Sequence, residues 1–160
     1  MRSIVMALLF TGLGRTDLAL TLSRIAIDAF FMLSGYHKLF NAERHRTVVE
    51  EFKALGIHAI GFNQWWVPLV EFSAGAAVFA GLLAPLAALG LLFIIVVAIA
   101  TSGRQRLAMF KPIDRADRID DFLYLPETLY AFMLIVVISA GAGPYSLDAL
   151  VLRWMGGNGG

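Results

Sequence analysis

Apolar residues fall in four long blocks, about Leu18–Phe40, Gln64–Ala84, Leu86–Ser102 and Leu125–Gly141, separated by two charged stretches. Each block is close to the roughly 20 residues an α-helix needs to cross about 30 Å of hydrocarbon, so the pattern predicts four membrane-spanning helices. The last two are a few residues short and are expected to stand nearly upright or to borrow flanking turns. Trp65 and Trp66 open the second block at headgroup level. Pro68 is expected in the first turn of that helix, where a missing N–H costs little. Pro85 leaves almost no connection, so the second and third helices form a tight hairpin. Pro126 and Glu127 suit the start of the fourth helix and Asp120 or Asp121 its cap. Gly141, Gly143 and Pro144 end it.

The charged stretches carry their own patterns. In residues 41–63, Val48, Phe52 and Leu55 recur at helical spacing among Glu43, Arg44, Arg46, Glu50, Glu51 and Lys53. That predicts an amphipathic helix over about 42–56, lying in the membrane interface. Residues 103–124 mix Arg104, Arg106, Lys111, Arg115 and Arg118 with Asp114, Asp117, Asp120 and Asp121. They are expected to form a solvated loop, with a partner-docking surface as the sharper alternative. The opening residues 1–17, with their short apolar run Ile4–Leu13, are expected to form an interfacial or partner-contacting segment. No A-x-A cleavage site follows that run, which makes a cleaved signal the alternative. The whole chain, residues 1–160, reads as a single membrane domain: an all-α, integral membrane four-helix bundle with an interfacial helix in its first long loop.

Within the first block Arg24, Asp28, Phe31, Gly35 and Lys38 follow one another at steps of 4, 3, 4 and 3. At about 100° per residue they stay within an arc of roughly 80°. Ionised groups in a line do not face lipid. They face a bundle interior or a wet cavity and mark a candidate site. Arg24 and Asp28 are one turn apart, and side chains lean toward the helix N-terminus, so an intrahelical ion pair is expected. Glu71 is the buried carboxylate of the second block. Lys38 leans into the membrane and Glu71 leans out, which predicts a Lys38–Glu71 pair between antiparallel neighbours. For both pairs a purely structural bridge stands beside the functional reading of a polar ligand site. Ala74, Gly75, Ala77, Ala80 and Gly81, with Gly35 and Gly90 on the neighbouring helices, are expected to let backbones pack closely.

Composition narrows the chemistry. The chain is 59% apolar and 16% charged, with mean hydropathy +0.74, well beyond a soluble domain. Net charge is +1, which gives no footprint for nucleic acid. The chain has no cysteine, which excludes thiolate catalysis, disulfides, Fe–S ligation and Cys-type zinc sites. His37, His45 and His58 show no metal-binding spacing, so no metal site is expected. His37, at the membrane edge, is a candidate donor to a quinone carbonyl. Eight Lys and Arg residues (Arg44, Arg46, Lys53, Arg104, Arg106, Lys111, Arg115, Arg118) lie in the two long connections, against Arg2, Arg15 and Arg153 on the other side. The positive-inside rule then puts both long loops in the cytoplasm and both termini outside.

The run Ser34-Gly35-Tyr36-His37-Lys38-Leu39-Phe40 with Arg24 upstream resembles the first span of DoxX-family membrane proteins. Phe52-Lys53-Ala54-Leu55-Gly56-Ile57, then Glu71 with Gly75 and Gly81, and the tail Gly141-Ala142-Gly143-Pro144-Tyr145-Ser146-Leu147-Asp148 are similar to later parts of that family. The resemblance covers roughly residues 18–153. It implies a four-helix protein of the bacterial inner membrane associated with redox systems. One branch is linked to thiosulfate:quinone oxidoreduction, with a DoxD-like membrane subunit, and others to complexes that handle oxidative or thiol stress. The resulting expectation is an accessory or anchoring subunit of a membrane-associated, quinone-linked oxidoreductase. The chain is not expected to be an enzyme on its own. Arg24, Asp28, His37, Lys38 and Glu71 form the candidate polar cluster and quinone the candidate cofactor. The bilayer, an oxidoreductase and further copies of the chain are the expected partners. The alternative is a structural or small-molecule-binding membrane protein with no redox role.

Overall fold

The computed structural model describes residues 16–110 and 112–157, and every element among them is a helix. The expected interfacial segment 1–17 therefore lies outside the described residues but for Thr16 and Asp17, as does Lys111. Helix α1 runs from Thr16–Phe40, α2 from Ala42–Ala54, α3 from Ile60–Ala80 and α4 from Ala84–Ala98. A π-helical turn, Ile99–Gly103, carries α4 without a break into α5, Arg104–Met109. Helices α6, Arg115–Leu123, α7, Pro126–Ala140, and α8, Leu147–Gly157, complete the chain.

Helices α1, α3, α4 and α7 pack in a ring in that order, each against the next and α7 back against α1. Ile27, Phe31, Val78, Ala88, Leu91, Ile95, Leu134 and Val137 fill its core. Outside the ring Leu22, Leu33, Leu86, Leu129 and Phe132 are exposed. An apolar exterior of this extent suits lipid and not water. By length and composition α1 and the continuous helix Ala84–Met109 can each cross a membrane. Helices α6 and α7, bent by 66° at their junction, qualify as a third span only when taken together.

The ends of the helices explain their limits. Asn41 caps α2, its side chain accepting from the N–H groups of Glu43 and Arg44 at 3.0 and 3.1 Å. Gly56, at φ +66°, ends it: Gly56 N bonds Lys53 O, and Ile57 N bonds Phe52 O. The same pattern recurs at Gly81, φ +70°, where α3 stops.

Several expectations are corrected. Helix α3 begins four residues before the expected Gln64, so Pro68 sits inside it, buried, and not in its first turn. The third span does not stop at Ser102: the helix continues to Met109 and takes Arg104 and Arg106 with it. The expected loop 103–124 contains helices α5 and α6, and Asp114 caps α6 by accepting from Asp117 N at 2.9 Å. Neither Asp120 nor Asp121 caps α7, whose preceding residue Leu125 makes no side-chain bond. Thr128 Oγ1 instead ties the start of α7 to Phe122 O at 2.8 Å.

Small residues act as expected at two positions. A Cβ added to Gly35 would lie 2.7 Å from Pro68 O, and one added to Gly75 would lie 2.8 Å from Met32 N. The α1 and α3 backbones therefore touch where only glycine fits. Gly90 differs: a Cβ there would meet only Val70 Cγ1, at 3.8 Å. It leaves space open.

Candidate functional site

The polar stripe of α1 points inward. Arg24 is 2% exposed, Asp28 0% and, across on α3, Glu71 7%. The stripe divides into two ends with different chemistry.

At one end Arg24 binds backbone. Its Nη1 donates to Val78 O at 2.6 Å and Phe79 O at 3.1 Å, and its Nη2 to Tyr145 O at 2.9 Å. The first two carbonyls belong to the last turn of α3, where helix geometry leaves acceptors without partners and a cation is favoured. The tail folds over the same corner. Asp148 accepts from Leu83 N at 2.9 Å and Ala84 N at 3.2 Å, which satisfies donors at the start of α4. Ser146 Oγ accepts from Ala149 N at 3.2 Å and caps α8. The expected Arg24–Asp28 ion pair does not form, because the guanidinium turns to these carbonyls. Asp28 is left buried, with no hydrogen-bond partner among the described residues for either carboxylate oxygen.

At the other end Lys38 and Glu71 meet as expected. Lys38 Nζ lies 2.8 Å from Glu71 Oε1 and 2.6 Å from Oε2. Ser34 Oγ donates to Glu71 Oε2 at 3.4 Å. The pair forms one wall of a cavity of about 690 Å³ lined from α1, α2, α3, α4 and α7. Phe30, Phe31, Val70, Phe93 and Tyr130 line its apolar part. Phe31 lies seven residues from Lys38 along α1, about 10 Å deeper at 1.5 Å per residue. Gly90 lines it too, so the missing side chain there becomes cavity volume.

Helix α2 roofs this space. Its apolar residues Val48, Phe52 and Leu55 line the cavity, and Val48 is buried. The apolar face of this amphipathic helix therefore covers the cavity. His45, on α2, fixes the roof: its Nδ1–H donates to Lys38 O at 3.0 Å and its ring stacks on Trp65 with centroids 4.2 Å apart. Thr101 and Ser102 reach the cavity from the π-helical turn, a feature that recurs at functional sites.

Of the five sequence candidates, Lys38 and Glu71 line the cavity. Arg24 and Asp28 are buried elsewhere along the stripe. His37 is exposed, with its Nδ1 2.7 Å from Leu33 O, and does not reach the cavity, so the quinone-donor expectation for it has no geometry behind it. Sequence reasoning missed Glu127. It lines the cavity from α7 and is paired with Arg106. It had been read as a helix-start residue, and no spacing linked it to α1. Asp148 was missed as a cap for the same reason.

A ring of helices with an apolar exterior and buried charges fits an integral membrane protein. Within that class the chain belongs to the DoxX family, whose model matches residues 19–104. The match takes in Arg24, Asp28, His37, Lys38 and Glu71 and stops short of Glu127 and Asp148. Comparison with curated proteins and with solved structures finds no match.

Proposed function

We propose that this DoxX-family protein is a non-catalytic accessory subunit of the bacterial inner membrane. In this reading it anchors a membrane-associated oxidoreductase and holds a quinone-class amphiphile in the cavity. Its four spans are α1, α3, α4–α5 and α7, with both long connections cytoplasmic and both termini outside. One observation carries the reading: the Lys38–Glu71 pair stands in the wall of a cavity of about 690 Å³ whose depth is aromatic and aliphatic. Pockets that combine a few convergent polar groups with apolar walls are the usual small-molecule sites. Lys38 offers an N–H to a ring carbonyl, and Phe31, Phe93 and Tyr130 offer faces and edges to a ring and its tail. The residues fit a quinone in this sense. The redox chemistry would be the cofactor's own and its partner's.

The test is extraction of the protein from native membranes in mild detergent, with mass spectrometry of co-purified quinones. Lys38→Met is expected to lose bound quinone and Arg153→Ala, on the exposed tail helix, to keep it. Equal quinone in both variants, or none in the wild type, defeats the proposal. Arg24 favours a structural reading for its own end of the stripe, since its two terminal nitrogens are spent on backbone carbonyls.

A further inference from the structure

Helix α6 has two chemically distinct sides. At about 100° per residue, Asp117, Asp120 and Asp121 fall within an arc of roughly 100°, and Ala116, Ile119, Phe122 and Leu123 fill one of roughly 120° on the far side. Ile119, Phe122 and Leu123 are exposed, so no described part of the bundle covers that face. The turns on either side expose Met109, Ile113 and Tyr124 as well. Arg115 lies over the start of the apolar face and Arg118 beside it. The ion pairs among the described residues, Lys38–Glu71 and Arg106–Glu127, include neither arginine.

The direction and depth of α6 point to what covers the face. Its axis is bent by 66° from that of α7. With α7 upright, α6 lies within about 25° of the membrane plane, the complement of that bend. Arg104, which opens α5, follows Ala84 by 20 residues in one continuous helix. At 1.5 Å per residue that is about 30 Å, the thickness of the hydrocarbon core, so Arg104 reaches the headgroup layer. Arg104 and Arg118 line one pocket of about 390 Å³, with Leu107 and Phe110 from the α5 side and Asp121 from α6. Helix α6 is therefore held at the same depth.

We propose that α6 rests on the membrane surface where the two long connections emerge. Its Ile119, Phe122 and Leu123 face is sunk among the upper acyl chains of phospholipids, and its aspartates face water. Arg115 and Arg118 have stems long enough to reach the phosphates above that face. Deeper burial in hydrocarbon is opposed by composition, since five of the nine residues are charged. The face extends the apolar exterior of the ring up to the headgroup layer. This seating is independent of what the cavity holds.

Because the chain has no cysteine, a single nitroxide can be placed on the full chain through Ile119→Cys, Leu123→Cys or Asp120→Cys. All three native side chains are exposed, so the substitutions disturb no packing. In nanodiscs of phosphatidylethanolamine and phosphatidylglycerol, EPR compares collision of each label with oxygen, which concentrates among acyl chains, and with a water-soluble nickel chelate. The oxygen-to-nickel ratio is expected to be several-fold higher at positions 119 and 123 than at 120. Nickel dominating at all three would put the face in water and overturn the proposal. Exclusion of both reagents at 119 and 123 would mean that a protein covers the face, and oxygen dominating at 120 as well would mean a re-entrant segment. Either result overturns it.

Discussion

Lys38 and Glu71 are 33 residues apart in the chain, yet Nζ of the first lies within 2.8 Å of both carboxylate oxygens of the second. The lysine side chain keeps 28% of its surface exposed and the glutamate 9%. The pair is therefore anchored in the bundle on one side and hydrated on the other. Glu71→Gln leaves the ammonium without a counter-charge. Breaking a buried pair costs about 3–5 kcal/mol, and the exposure of Lys38 discounts that to about 1–3 kcal/mol. The double change Lys38→Met with Glu71→Leu is expected to recover most of it. Denaturant unfolding in micelles measures all three proteins, and an unperturbed Glu71→Gln midpoint would refute the pairing.

The contact between α1 and α3 depends on two glycines. Gly35→Ala and Gly75→Ala each force a methyl group against the neighbouring backbone, which cannot retreat as a flexible side chain would. Each is expected to lose about 1–3 kcal/mol, the usual cost of overpacking, or to fail to fold. Wild-type stability in either variant would show that the helices are not in this contact.

Arg24 and Asp28 share a face of α1 but are expected to respond in opposite directions. Arg24→Met leaves the carbonyls of Phe79 and Tyr145 without the guanidinium, while Val78 O keeps the N–H of Gly81, and an orphaned buried acceptor costs about 1–3 kcal/mol. Asp28→Asn removes a charge that no hydrogen bond supports, so its midpoint is expected to hold or rise. Paired unfolding curves decide this; a larger loss in Asp28→Asn than in Arg24→Met would point to a partner that the geometry lacks.

The tail is latched by Asp148. Asp148→Ala removes an acceptor from the start of α4 and the anchor of α8 together, with an expected loss of about 1 kcal/mol, as for a helix cap. Trypsin cleavage at Arg153 in micelles should quicken relative to wild type. Unchanged cleavage would mean that α8 is held by something else.

These particulars show what the sequence made legible. The inward face of α1 and the Lys38–Glu71 pair followed from helical periodicity and from the direction in which side chains lean, both local rules. The helix limits did not follow from hydropathy, because that scale registers lipid and not hydrogen bonding. Asn63 and Gln64 lie within α3, and Arg104 and Arg106 within α5, since a helix continues through the headgroup layer as long as its backbone is satisfied. Arg24 was misassigned to Asp28 because its true acceptors lie 54, 55 and 121 residues away. The cavity was invisible for a related reason. Gly90 and Glu127 acquire meaning only once α4 and α7 close the ring, and Gly90 had been expected to pack against a neighbour.

The most direct test is to fill the cavity without touching its charges. Gly90 lines the cavity and has room for a side chain, since a Cβ there would meet only Val70 Cγ1, at 3.8 Å. Native mass spectrometry of wild type and Gly90→Leu, released from bilayer nanodiscs, would compare the amphiphile each retains. The cavity account predicts a retained quinone-mass adduct on wild type, its loss in Gly90→Leu, and the same unfolding midpoint for both. An equal adduct on the two proteins, or a bare wild type, would contradict it.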